Sequence, residues 1–328
     1  MSFKINSPLR DMYTMVESVT ENVVPLYDDI QNLLFFDIDY YRFIGNVPIW
    51  MSDAGRCAES PMDKVTFEKY LGQCTSPYSF KLLYWYDLQG LLAALQDRIA
   101  NINSLLEEFY SILPYENKHK ANEYTNATRC LDAHATKAQS TVNNIFVSLA
   151  SAFDLYAKVA YEVYNIDKYA FDKYSKLRSR SKNILYNKYM DTFPELKAEG
   201  LLLSEPVCVR KVLSFRDEFI HNGSWDYRCA IYETWIGEEP SDVFMLSPDM
   251  DPNGNFCISG ARNKFYSQDN RINILLLPLL EEVLTVFDKS ISELSSVCQA
   301  NTKTAEKDAI EANTDKYILD LVEWHKKQ

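Results

Sequence analysis

The chain is poor in the residues that interrupt regular structure, with 9 glycines and 12 prolines among 328 residues. So few turn formers argue against a turn-rich all-β protein, a collagen or a linker protein, and favour helix. Histidine is scarcer still, at 4, which leaves few ordinary candidates for acid and base chemistry near neutral pH. The seven cysteines (Cys57, Cys74, Cys130, Cys208, Cys229, Cys257 and Cys298) are odd in number and show neither CxxC nor a zinc-type cluster with histidine. They read as reduced thiols of a cytoplasmic protein without a metal or cofactor. A Walker loop, GxGxxG, HExxH and GxSxG are all missing, which disfavours an ATPase, a nucleotide-dependent oxidoreductase, a zincin or an α/β-hydrolase. The longest aliphatic run, residues 272–280, is too short for a bilayer, and the first fifteen residues lack a signal-peptide core. Neither membrane insertion nor secretion is expected.

What is abundant is apolar and aromatic. Residues of the hydrophobic class make up 47% and aromatics 13%, led by 22 tyrosines, so burial rather than staples drives folding. A net charge of −12 counts against a uniformly basic nucleic-acid coat while leaving room for a local basic patch.

Two long stripes at helical spacing stand out. Trp85, Leu88, Leu92, Leu95, Ile99, Ile102, Leu106 and Phe109 predict one amphipathic helix over about 79–113, stopped by Pro114. Val142, Ile145, Phe146, Leu149, Phe153, Tyr156, Val159 and Val163 predict a second, antiparallel to it. Residues 45–80 read as a long loop. The Tyr- and Lys-rich stretch 169–193 reads as a third helix. A fourth covers about 204–220, with Ser204 as its cap and Pro206 in the first turn. Residues 228–235, 242–247 and 255–259 look like short strands of a small antiparallel insert. Helix returns over 272–297, where Pro278 should kink or delimit it, and over 304–324. The expected organisation is an N-terminal helical region of unassigned role (1–137), a helical bundle with a β insert at 228–260 (138–300), and a C-terminal helix (301–328).

Three of the histidines are unpromising. His119 lies in a hydrophilic run, His325 is close to the terminus, and His134 does not face Asp132 across a helix. The D-x-D pair Asp37 and Asp39 lacks the flanking motifs of a phosphatase or nucleotidyltransferase. His221 differs, because it follows Arg216 by five positions in KVLSFRDEFIHNGSW. Five helical residues rise about 7.5 Å and turn about 140° beyond a full circle, so in a rigid helix the two side chains point apart. Asn222-Gly223 is a helix stop, placing His221 in the last turn or at the cap, where the backbone is expected to unwind and let the ring swing toward Arg216. Val212, Phe215 and Phe219 give the helix a buried face that Arg216 interrupts, and a guanidinium there needs an anionic partner. The plainer reading pairs Arg216 with an acidic neighbour and makes His221 a favourable C-terminal cation.

The run Arg216-Asp217-Glu218-Phe219-Ile220-His221 resembles the R-x4-6-H signature of the HEPN superfamily, in which a polar residue commonly follows the arginine. The resemblance covers about residues 138–300. It implies a mostly α fold, an up-and-down helical bundle with additional N-terminal helices, acting as a homodimer in which two motifs meet in a cleft. It also implies a metal-independent endoribonuclease of antiviral defence or toxin-antitoxin type, with RNA as substrate and an antitoxin or regulatory protein as a further partner. In that chemistry Arg216 and His221 are catalytic, Asp217 orients one of them, and Asn222 touches substrate. A substrate path is expected along 167–190, where seven basic residues, among them Lys176, Arg178, Arg180 and Lys182, face two acidic ones. Tyr169, Tyr174, Tyr186 and Tyr189 are interleaved for base stacking. The alternative is a catalytically inactive helical bundle that binds a protein or nucleotide.

Overall fold

The computed structural model describes residues 6–44, 51–58, 60, 62–74, 76–114, 127–180, 193, 195–236 and 239–304. His119, His325, Lys182, Tyr186, Tyr189 and the helix expected over 304–324 lie outside the described residues, as does all but the start of 301–328. The described chain is mostly α. Its helices are α1 (Asn6–Glu21), α2 (Val24–Leu34), α3 (Tyr40–Ile44), α4 (Lys64–Gln73), α5 (Pro77–Ile112), α6 (Ala133–Asn165), α7 (Val207–Asn222) and α8 (Ile272–Asn301). Three strands, β1 (Ala127–Cys130), β2 (Ile231–Ile236) and β3 (Glu239–Phe244), form one antiparallel sheet in the order β1-β2-β3.

The chain divides into two compact units. The first is made of Met1–Asn22, Leu95–Tyr156 and Met190–Ser292, and the second of Val23–Ala94, Ala157–Tyr189 and Glu293–Gln328.

Both predicted stripes are buried. Trp85 through Phe109 on α5 and Val142 through Val163 on α6 are core positions throughout. Helices of 36 and 33 residues hold these faces because nothing in their interiors breaks the ladder. α8 runs on to Asn301 with Pro278 inside it, so that proline does not delimit the helix.

Three expectations are corrected. The loop over 45–80 contains α4, whose N-cap Asp63 accepts from Thr66 N at 2.7 Å. The third helix over 169–193 is absent from the described residues of that stretch. In its place are irregular backbone and a 3₁₀ turn at Arg178–Arg180, following another at Ile166–Lys168. The strand expected at 255–259 is reduced to isolated bridges, Met250 with Phe256 and Ser259 with Arg262. Its place in the sheet is taken by β1, whose Cys130 pairs with Ile231 and Ala127 with Thr234. On β2 and β3, Tyr232 stacks on Phe244 at 5.4 Å, a cross-strand pair that fixes the hairpin register.

Candidate functional site at the end of α7

In the first unit α7 is pinned by aromatic packing next to the motif. Phe215 stacks flat on Phe146 of α6, ring centres 4.3 Å apart, and meets Trp225 and Phe256 edge-on. Pro206, in extended conformation, takes the N-cap position; Ser204 sits in the preceding 3₁₀ turn and donates to Leu201 O, so it does not cap the helix. Gly254 closes in from the loop after β3. A Cβ at that position would stand 2.9 Å from the Val207 carbonyl oxygen, and Ser214 Oγ donates to Gly254 O at 2.9 Å. The helix is thereby held at both ends of its buried face.

Arg216 is the position after Phe215, and it is half-buried. Its Nη1 donates to Asp217 Oδ1 at 2.5 Å, and its Nη2 lies 3.8 Å from Asp154 Oδ2 on α6. The anionic partner that a guanidinium in this register requires is supplied by these two carboxylates. His221 is exposed in the last turn, and the helix continues through it to Asn222 before Gly223, at φ +89°, ends it. The unwinding expected at His221 does not occur, because Gly223 stops the helix only after Asn222: the backbone stays helical between the two residues, and their side chains leave it about 140° apart.

Asn222 is engaged locally. Its Nδ2 donates to Glu218 Oε2 at 2.9 Å, while Lys264 Nζ donates to Glu218 Oε1 at 2.5 Å and to Ser224 O at 3.1 Å. Glu218 is buried and the Lys264 side chain keeps only 11% exposure, its ammonium also lying 4.5 Å from the centre of the exposed Tyr227 ring. The turn after α7 is fixed by Trp225 Nε1 donating to Asn143 at 2.7 Å and by Tyr266 OH donating to Trp225 O.

Sequence reasoning singled out Arg216, Asp217 and His221 but missed Asp154, Glu218 and Lys264. A signal for Glu218 was present. Phe215, Glu218 and Asn222 fall at i, i+3 and i+7, so Glu218 occupies the buried face beside Phe215 and calls for a cation. Among the described residues no group of three or more His, Cys, Asp or Glu is placed to hold a metal.

The basic residues of 167–180 belong to the second unit. Lys176 is exposed. Arg178 lies 4.6 Å over the Tyr169 ring and donates to Lys168 O, and Arg180 pairs with Asp87 at 3.3 Å. Two of the interleaved tyrosines are tied inward: Tyr169 OH donates to Glu162 at 2.7 Å and Tyr174 OH to Asp87 at 3.0 Å.

Comparison with family models, with curated proteins and with solved structures finds no match for this chain. Among the described residues no helix is long and apolar enough to cross a membrane.

Proposed function

We propose that the chain is a metal-independent endoribonuclease of HEPN type, built on an up-and-down bundle and acting as a homodimer. The observation that carries this reading is the end of α7. There a half-buried guanidinium oriented by Asp154 and Asp217 precedes an exposed imidazole at a glycine-terminated helix end. Cleavage by 2′-OH attack needs a base for the hydroxyl proton, an acid for the 5′ leaving oxygen and a cation for the charge on phosphorus. His221 supplies a proton acceptor or donor, and Arg216 supplies a fork matched to phosphate oxygens. Since the two side chains diverge on one helix, a two-fold partner brings a second His221 and completes the set. Defence or toxin activity, RNA as substrate and control by an antitoxin follow from the same resemblance, and a cytoplasmic setting from the seven cysteines read as reduced thiols.

One observation favours the second reading, a catalytically inactive binding bundle: the Arg216 guanidinium is already neutralised inside its own chain by two carboxylates. RNA incubated in EDTA with the wild type and with His221→Ala separates the two. The nuclease reading expects cleavage by the wild type and a loss of about 10²-fold or more in the variant. Arg216→Lys, which keeps the charge but loses the fork, should also fall. Cleavage indifferent to both substitutions overturns the assignment, and a monomer by light scattering under conditions of full activity overturns the two-fold mechanism.

A further inference from the structure

Asp87 lies on α5 with its carboxylate almost wholly buried, and it serves two cations. Arg56 Nη2 and Arg180 Nη2, the latter at 3.3 Å, share Oδ1, while Tyr174 OH occupies Oδ2 at 3.0 Å. Arg56 Nη1 also donates to the Tyr86 carbonyl. Among the described residues Asp87 is the one carboxylate within ion-pair distance of either guanidinium. Among the described residues this pairing leaves one positive charge over, and a guanidinium does not discharge it by losing a proton. Side-chain exposures of 26% for Arg56 and 55% for Arg180 leave part of each side chain open to solvent.

The cluster is also preformed. Arg180 ends the 3₁₀ turn Arg178–Arg180, and its neighbour Ser179 is fully buried with its N–H on Glu162 Oε1 at 2.6 Å. Glu162, itself inaccessible, takes Tyr84 OH and Tyr169 OH on its other oxygen at 2.9 and 2.7 Å. Backbone beside Arg180 is therefore anchored to the core, so presenting its guanidinium to a ligand forfeits little conformational freedom.

We propose that the Arg56–Asp87–Arg180 cluster is a phosphate-binding site, with N–H groups of both guanidiniums donating to phosphate oxygens. The phosphate belongs either to an RNA backbone or to a free nucleotide; the RNA source rests on the ribonuclease reading, whereas the site itself does not. The test uses the full chain carrying His221→Ala, titrated at low salt with a fluorescein-labelled single-stranded oligoribonucleotide and, separately, with ATP. Arg180→Gln should weaken binding about tenfold, as loss of a charge-assisted contact does, and should flatten the salt slope for RNA by about 0.7. Lys289→Gln, an equal charge change at an exposed position of α8 outside the basic segment, should stay within about twofold. Arg56→Gln should match Arg180→Gln, with thermal unfolding confirming that it is folded. RNA-selective binding with this pattern assigns the site to the backbone, and ATP binding with this pattern assigns it to a nucleotide. Absence of binding by both ligands, or equal weakening by Arg180→Gln and Lys289→Gln, overturns the proposal. Failure of the nuclease reading would show instead as uncleaved RNA with His221 intact.

Discussion

At the scale of single residues, the end of α7 holds an ion pair with consequences for stability. Glu218 and Lys264 are both withdrawn from water, and Lys264 also donates to the Ser224 carbonyl. Removing one member strands the other, so Lys264→Met alone should cost about 3–5 kcal/mol. Glu218→Gln with Lys264→Met should recover much of that loss, because both desolvated charges leave together. Urea unfolding of the two variants measures the difference; equal stability of the single and double variants would show that the pairing is not what matters. The same residues show how far sequence carries. Arg216 was legible as a cation interrupting an apolar register, and its need for an acidic partner follows from that alone. Which acid it finds was not, because Asp154 lies 62 positions upstream on a helix whose azimuth only packing decides.

At the scale of elements, α5 and α6 were readable because an uninterrupted 3.6 period running from Trp85 to Phe109 and from Val142 to Val163 has few other ways to bury itself. The basic stretch after α6 was misread for a physical reason. Its tyrosines look like a helix's apolar stripe, but their hydroxyls seek Glu162 and Asp87, and those tertiary bonds hold the backbone in turns instead. β1 was invisible because a polar four-residue strand carries no period of its own and exists by pairing with β2. The loop against α7 gives an element-scale prediction. Gly254→Ala meets both a φ of +85° and the Val207 carbonyl at 2.9 Å, and should cost more than about 1 kcal/mol. Gly260→Ala, at φ +56° with no atom within 4 Å of the new Cβ, should cost less. Chemical denaturation of both variants checks the order, and a reversed order would mean that the loop does not press on the helix.

At the scale of the whole molecule, buried acids set the pH range of stability. Burial pushes the Cys298 thiol up to about 12, and burial together with the Asp87 charge takes Tyr174 to about 12 as well. Cys208, Cys130 and Tyr40 move upward too, chiefly through burial. Each raised group supports folding fully below the point where the unfolded chain would ionise it, 9.0 for cysteine and 10.0 for tyrosine, and loses that support as pH climbs to the folded value. On the acid side, hydrogen bonds from Thr66 to Asp63 and from Asn255 to Asp251 hold those carboxyls below 3.8. Their support is present above 3.8 and fades as pH falls beneath it. The melting temperature should therefore be flat from about pH 5 to 8.5 and decline from about pH 9 upward. A midpoint that keeps rising through pH 10 contradicts this account.

The thiols have one more use. Cys57 is exposed, whereas Cys208 in the first unit and Cys298 in the second are shut away from solvent. A sulfhydryl reagent applied to the native protein should thus mark Cys57 at once and the other two only when their surroundings open. Each half of the molecule carries a built-in timer for its own excursions, and mass spectrometry of peptides after brief alkylation would read both clocks in one tube.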